Sequence, residues 1–230
     1  MKKAWPLLLI IPFLCGCTGR VISNDEAYKM LTNFETKLDQ ITTFSFFERK
    51  AVTVTPTSKT TVLYQVFFEK NFFHSYTVNE DEEIKENNTV VEKWAFIRDG
   101  MIYDVTTEGA DENPKGKIYT AETYEQSVWE ARIKSAVGSV KSANKLYIYL
   151  LKNQINVRDS SEVITSRSLN ETSLYQKVES KNQSNKIVRT KTYNFENSLV
   201  TEITDKDDYS TRTIKFQYQI TTQEPNIPDF

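Results

Sequence analysis

The sequence predicts an α+β fold in which an antiparallel sheet packs against an N-terminal helix and a helical middle segment. Two observations support this prediction. Apolar residues recur at helical spacing near the start of the chain and again in the middle, and they alternate with polar residues over most of the remainder. The connections between the alternating segments are short, which favours antiparallel pairing of neighbouring strands. Hydrophobic residues make up 39% of the 230 residues, so the chain can bury a sizeable core.

The N-terminus carries the features of an export signal. Two lysines precede an apolar run that ends at Leu14-Cys15-Gly16-Cys17. The run of roughly ten residues is too short to cross about 30 Å of hydrocarbon. The tetrapeptide resembles the bacterial lipobox, which implies that residues 1–16 are removed, that Cys17 becomes the diacylated N-terminus, and that residues 17–22 form a tether. An ordinary cleaved signal peptide with a chance cysteine is the alternative.

The first element after the tether is predicted to be a helix. Ser23 and Glu26 have the spacing of a capping box, in which each side chain binds the backbone N–H of the other residue. An apolar stripe at spacings of three and four follows, formed by Tyr28, Leu31, Phe34, Leu38 and Ile41. We expect this stripe to pack on the sheet. A helix that lies on the membrane surface is the alternative, because the lipidated cysteine is close by.

Five strands are predicted to follow this helix. Their ranges are Phe44–Thr55, Thr60–Lys70, Phe72–Asn79, Thr89–Arg98 and Met101–Thr107. Asp99-Gly100 predicts a tight hairpin turn, since both residues tolerate a positive φ. The acidic stretch 79–88 and the segment 108–116, which contains Pro114, are predicted to be loops.

Several of these strands are apolar on both faces. Val62, Tyr64, Val66 and Phe68 alternate with Leu63 and Phe67. A sheet with one face in water should instead alternate cleanly between apolar and polar residues. Both faces are therefore expected to be covered, one of them by the helices.

The middle of the chain is predicted to form two helices. Thr123 and Gln126 have the spacing of a second capping box. The apolar residues from Tyr124 to Val137 predict a helix of about four turns. Gly138 and Ser139 are expected to weaken it, and a second short helix is predicted over Ala143–Leu151.

Five further strands are predicted after the helices. Their ranges are Glu162–Ser168, Ser173–Ser180, Lys186–Phe195, Leu199–Thr204 and Ser210–Thr221. Glu196-Asn197 and the acidic cluster 205–208 are predicted to form tight turns. The prolines near the end of the chain cannot extend a central strand.

The order helix, strands, helices, strands, together with the lipobox and the Ile227-Pro228 ending, resembles a family of lipoprotein carriers. This family includes LolA, LolB and the mycobacterial lipoprotein lipid carriers. The resemblance implies a single domain over residues 23–230 that forms a strongly curved half-barrel of about ten to eleven strands. Helices cover the concave side and acyl chains occupy the space between. Lipoprotein-sorting members carry an Arg-Pro pair that residues 68–72 lack, so the resemblance favours lipid binding over sorting.

Composition excludes several classes of function. The net charge is −2 and no basic block exceeds two residues, so no nucleic-acid partner is expected. His74 is the sole histidine, and both cysteines precede the domain. A zinc site or a cysteine–histidine pair is therefore not expected. The acidic clusters lack the spacing of a calcium loop and the glycines form no phosphate cradle, so we predict no enzyme activity, no metal and no cofactor.

The remaining candidate is a set of aromatic residues that could line a cavity for an apolar ligand. Its nine members are Phe46, Tyr64, Phe68, Phe72, Tyr76, Trp94, Phe96, Tyr103 and Trp129. The alternative is that they fill a core between helix and sheet. The leading hypothesis is thus a lipoprotein on the extracytoplasmic face of the cell membrane that binds a lipid or another hydrophobic ligand. The alternative function is an interaction or envelope-sensing module that has a filled core and an envelope protein as its partner.

Overall fold

The computed structural model describes residues 23–81, 88–110, 113–156, 162–169 and 172–219. The predicted signal peptide, Cys17, the tether and the segment from residue 220 onward lie outside these residues. There are two helices, α1 (Asn24–Gln40) and α2 (Gln126–Asn156). The strands are β1 (Phe46–Val54), β2 (Ser58–Phe67), β3 (Phe72–Asp81), β4 (Thr89–Arg98), β5 (Met101–Ala110), β6 (Asn113–Thr123), β7 (Glu162–Leu169), β8 (Leu174–Lys181), β9 (Ile187–Glu196), β10 (Leu199–Asp207) and β11 (Thr211–Gln217).

The eleven strands form one antiparallel sheet in the order β6-β5-β4-β3-β2-β1-β11-β10-β9-β8-β7. Each half is a meander, and the two halves meet where β1 pairs with β11. The edge strands β6 and β7, which α2 connects in the chain, lie at opposite ends of the strand order. They do not pair with each other, so the described sheet is not closed. The predicted α+β half-barrel is confirmed. The turn between β4 and β5 is also confirmed, because Asp99 and Gly100 have φ values of 50° and 73°.

Helix α1 begins as predicted. The Ser23 hydroxyl accepts the Glu26 backbone N–H at 3.2 Å, and the Glu26 carboxylate accepts the Ser23 N–H at 3.1 Å. The buried face consists of Ala27, Met30, Leu31, Phe34 and Leu38. Tyr28 was expected in this face, but it is 39% exposed at the edge, where the Lys152 ammonium lies 5.3 Å from its ring centroid.

Helix α2 is a single helix of 31 residues, so the predicted break at Gly138 is wrong. A mid-helix glycine costs only about 1 kcal/mol. Burial of Ala136 and Val140 on either side of Gly138 outweighs that cost. The predicted capping box is also wrong. Thr123 is the last residue of β6, where it pairs with Met101, and the helix begins at Gln126.

Strand β6 was not predicted, because the segment 108–116 has the composition of a loop. In the structure β5 extends to Ala110 and β6 begins at Asn113. Pro114 is tolerated because β6 is an edge strand, where one side of the backbone needs no partner. The acidic turn was also placed too early, since β10 continues to Asp207.

Apolar residues occupy both faces of the sheet, as predicted. On the concave face, α1 and α2 pack against β1, β2 and β8–β11, and the cluster includes Phe34, Val66, Leu151, Phe195 and Phe216. On the opposite face a second cluster contains Phe46, Phe67, Phe72, Phe96 and Val105, with Trp94 and Tyr103 packed against it. Side chains alternate along a strand, so the neighbours Val66 and Phe67 belong to different clusters.

The buried hydroxyl of Tyr218 makes the free energy of unfolding depend on pH in the alkaline range. Burial raises the pKa of Tyr218, and it also raises the pKa of Tyr64 and of Tyr193. The folded chain therefore retains phenolic protons that the unfolded chain releases near pH 10. The free energy of unfolding is expected to fall as the pH rises from about 10.

This fall is measured by urea unfolding at several alkaline pH values. Tyr218→Phe, which cannot titrate, is expected to reduce it. Tyr209→Phe is the control, because Tyr209 is 81% exposed. If the free energy of unfolding falls equally with pH in the unchanged protein and in Tyr218→Phe, the prediction is contradicted.

Candidate ligand cavity between the central helix and the sheet

One side of α2 carries small side chains where it faces β3–β5. Val128, Ala131, Ser135 and Ser139 recur at spacings of three and four, with Ala136 next to Ser135, so they lie on one side of the helix. Their small size leaves a cavity of about 720 Å³ between this side and the sheet. The cavity lies in the β2–β5 half of the fold, whereas the core cluster fills the concave face over β8–β11.

The sheet supplies the opposite wall of the cavity. Tyr64 of β2 pairs with Ser75 of β3, and Phe73 pairs with Ala95 of β4. Directly paired residues project to the same face. Ala95 in turn pairs with Asp104 of β5, whose carboxylate binds α2. The wall is therefore mainly apolar, and burial raises the pKa of the Tyr64 phenol within it.

A bidentate ion pair connects α2 to the sheet at one edge of the cavity. The Arg132 guanidinium donates to both carboxylate oxygens of Asp104, at 2.8 and 2.9 Å. It also donates to Glu122 of β6 at 3.2 Å. The hydrogen bond that Arg132 donates to Asp104 raises the pKa of Arg132, so this cation remains charged at all physiological pH values.

Trp129 fixes the beginning of α2 against the sheet. Its indole N–H donates to the Asn71 side-chain oxygen at 2.8 Å, and its ring meets the Phe73 ring edge-on at 5.4 Å between centroids. Asn71 follows the short 3-10 turn Phe68–Lys70 and has a φ of 50°. A second cavity of about 440 Å³ lies on this side of α2, lined by Phe68 and Trp129 among others.

The nine aromatic residues singled out in the sequence are divided between the two faces. Tyr64 lines the larger cavity, which Trp94 only borders, and Phe68 and Trp129 line the smaller one. Phe46, Phe72 and Phe96 belong to the cluster on the opposite face, and Tyr103 packs against it. Tyr76 lies on that same face and pairs with Glu92. The Trp94 side chain also points to that opposite face, because it alternates with Ala95 and packs against the cluster there.

Several residues of the cavity were not predicted. Phe73 and Ala95 form its wall, Arg132 and Asp104 close one edge, and Ser135 lines the helix side. A count of aromatic residues could not find them, because most are small or charged. The regular spacing of small residues along α2 is the signal in the sequence that marks this space.

His74 belongs to a polar network on the opposite face. Its Nδ1 lies 3.0 Å from the side-chain oxygen of Gln65, and its Nε2 lies 2.7 Å from a Glu92 oxygen. The Gln65 amide nitrogen donates to Glu48 at 2.7 Å, so the Gln65 oxygen accepts from Nδ1–H. His74 thus connects β2 and β4 across β3. Within the described ranges, no group of three or more His, Cys, Asp or Glu side chains could hold a metal ion.

Comparisons with known proteins give matches in structure only. No protein-family model and no curated protein matches the chain. The chain is similar to LprF from Mycobacterium bovis, with a TM-score of 0.36 and 11% identity over 88% of this chain and 97% of that one. It is also similar to a DUF1329 family protein from Desulfovibrio piger, with a TM-score of 0.22 and 10% identity over 86% and 95% of the two chains.

The open eleven-stranded sheet with its two helices confirms the element order of the predicted resemblance. The assignment of the fold rests on this topology. Neither helix in the described part of the chain is long and apolar enough to cross a membrane.

Proposed function

We propose that this chain is an extracytoplasmic lipoprotein that binds a lipid acyl chain or another hydrophobic molecule and catalyses no reaction. Residues 1–16 are the cleaved signal peptide, the diacylated Cys17 and the tether 17–22 hold the protein to the membrane, and residues 23–230 form one domain. The observation that carries the proposal is the cavity of about 720 Å³ beside α2. Ligand sites in proteins typically have volumes of about 300–1,000 Å³ and mainly apolar walls.

The walls of the cavity suit an acyl chain. Tyr64, Phe73 and Ala95 face Val128 and Ala131 across the space. Binding that removes about 300 Å² of the acyl chain's apolar surface from water contributes roughly 7 kcal/mol of favourable free energy. Part of that gain offsets the loss of translational freedom on binding. The same wall includes Lys93, whose side chain is exposed to solvent, so it can pair with a carboxylate or phosphate head group at the opening.

The two halves of α2 are attached to the fold in different ways. Val140, Ile148 and Leu151 anchor the second half in the core. Trp129 and the Arg132 ion pair attach the first half, which covers the cavity, to the sheet, and Ile133, Ala136 and Val137 of this half pack against the core. A ligand therefore enters or leaves when the first half of α2 moves away from β5.

Removal of the ion pair is expected to accelerate ligand exchange. Arg132→Gln should raise the release rate of a fluorescent fatty acid roughly fivefold, since a half-exposed pair contributes about 1 kcal/mol or less. Stopped-flow displacement measures this rate. Arg189→Gln is the matched control, because Arg189 also binds an aspartate, Asp205, through two nitrogens, but on strands β9 and β10. Equal release rates in the two variants would contradict the role of Arg132.

The proposal is tested by purifying the full chain from its own membrane and recording native mass spectra. We expect one lipid bound per chain and an N-terminal peptide that begins at a diacylated Cys17. A chain that carries no lipid and takes up no fluorescent fatty acid would contradict lipid binding and favour a protein-interaction module with a filled core.

A further inference from the structure

The second half of α2 presents an apolar patch to solvent. Leu146, Tyr149 and Leu150 are 52%, 61% and 38% exposed. Their spacing of three and four residues places them next to one another on one side of the helix. The opposite side of the same segment is buried in the core through Ile148 and Leu151. We call Leu146, Tyr149 and Leu150 the α2 patch.

The α2 patch lies on the same side of the helix as the larger cavity. Ser135 and Ser139 line the cavity, and Leu146 follows Ser139 by seven residues. Seven residues are close to two full turns, so the two side chains point in nearly the same direction about 10 Å apart along the axis. The opening of the cavity and the patch therefore form one continuous side of α2.

The proposed lipid anchor precedes α1, the helix that packs beside this patch. Helix α2 runs antiparallel to α1, because Lys145 pairs with Asp39 at 2.7 Å and Lys152 pairs with Glu35 at 2.6 Å. The α2 patch, between Lys145 and Lys152, thus lies beside the second half of α1, and Lys152 also contacts Tyr28 of the first half.

The length of the tether limits how far the beginning of α1 can be from the membrane. Ser23 follows Cys17 by six residues, a chain that spans at most about 20 Å. Glu35 and Asp39, which lie beside the α2 patch, are about 18 and 24 Å further along the axis of α1. The α2 patch is therefore within reach of the bilayer when α1 and α2 lie along its surface.

We infer that the α2 patch docks on the lipid bilayer to which Cys17 is anchored, so that the cavity side of α2 faces the membrane. This inference rests on the proposed function, specifically on acylation of Cys17. Leucine and tyrosine are the residue types that enter the interfacial region of a bilayer, where a ring with one polar end is favoured. Docking brings the opening of the cavity close to its hydrophobic ligands.

Contact with the bilayer is measured on the full chain anchored in vesicles of phosphatidylethanolamine and phosphatidylglycerol. A fluorophore is attached through Tyr149→Cys, or through Tyr209→Cys as the control, since Tyr209 is also exposed but lies between β10 and β11. Brominated acyl chains should quench the fluorophore at position 149 at least threefold more strongly than at 209. Equal quenching overturns the inference. Shielding of position 149 without vesicles, together with a doubled mass, also overturns it and indicates a second copy of the chain.

Two further readouts separate the inference from the proposed function. The chain without an introduced cysteine is treated with the same thiol-reactive fluorophore. If it becomes labelled, Cys17 carries a free thiol and the lipid anchor is absent. Uptake of the fluorescent fatty acid from buffer reports ligand binding whether or not the patch touches a membrane.

Serine substitutions test whether docking assists loading. Replacing all three residues of the α2 patch by serine should slow uptake from vesicles about tenfold and leave uptake from buffer unchanged. The matched control replaces Val163, Ile187 and Tyr209, three exposed apolar residues on or between other strands. Equal uptake from vesicles by the two triple variants overturns the assignment.

Discussion

Replacing Asn144 by alanine is expected to lower the free energy of unfolding by about 2–4 kcal/mol. Asn144 is fully buried in α2, and its side-chain oxygen accepts the backbone N–H of Val200 at 2.9 Å. Val200 lies at a register shift between β9 and β10. Its N–H is therefore left without a partner when the amide is removed. The Asn144 amide nitrogen also donates to the Tyr218 hydroxyl at 3.0 Å.

Urea unfolding followed by circular dichroism measures this loss. Asn153→Ala is the matched control on the same helix, because Asn153 is only partly buried, and it should change the free energy of unfolding by less than about 0.5 kcal/mol. A loss below about 1 kcal/mol for Asn144→Ala would show that Val200 finds another partner, and would contradict the role of Asn144 in joining α2 to β10.

Ser135→Trp is expected to lower the affinity for a fluorescent fatty acid at least tenfold. Ser135 lines the cavity from α2, and an indole ring placed there occupies the volume that the ligand needs. Ser135 is exposed to solvent at this position, so the larger side chain does not have to enter the packed core. Stability should therefore change by less than about 1 kcal/mol. Equilibrium titration of the fluorophore measures the affinity.

Ser142→Trp is the control for this prediction. Ser142 is also exposed and lies two turns further along the same helix, outside the cavity lining. Its substitution should leave the affinity unchanged. Equal affinities in the two tryptophan variants would show that the ligand binds elsewhere.

The sequence predicted most of the strands because alternation is a local property. The two-faced strands, such as the one with Val66 and Phe67, predicted that both faces of the sheet would be covered, and the structure has a cluster of buried apolar residues on each face. Strand β6 was missed because Pro114 and its neighbours have the composition of a loop. The strand forms because the ladder with β5 outweighs that local preference.

The helical middle shows the same limit of local reasoning. Gly138 predicts a break when helix propensity alone is considered. The structure keeps one helix because the segments on both sides of Gly138 pack on the same sheet. Tertiary burial of Val140 and Leu151 therefore decided the outcome.

The candidate site was less predictable than the fold. Aromatic residues are visible in a sequence, but the face to which each one points depends on register and on the position of the helices. Phe72 and Phe73 are adjacent, yet Phe73 lines the cavity and Phe72 belongs to the opposite cluster. The cavity itself arises from small residues such as Ala131 and Ser135, because their short side chains leave space between α2 and the sheet.

Photocrosslinking with a long-chain fatty acid that carries a diazirine on its acyl chain tests the central claim most directly. If the ligand lies between α2 and the sheet, peptides that contain residues 128–139 and 73–75 should carry most of the label, and Ser135→Trp should remove it from both. Label that is confined to peptides of β8–β11, or that is insensitive to Ser135→Trp, would contradict binding in this cavity.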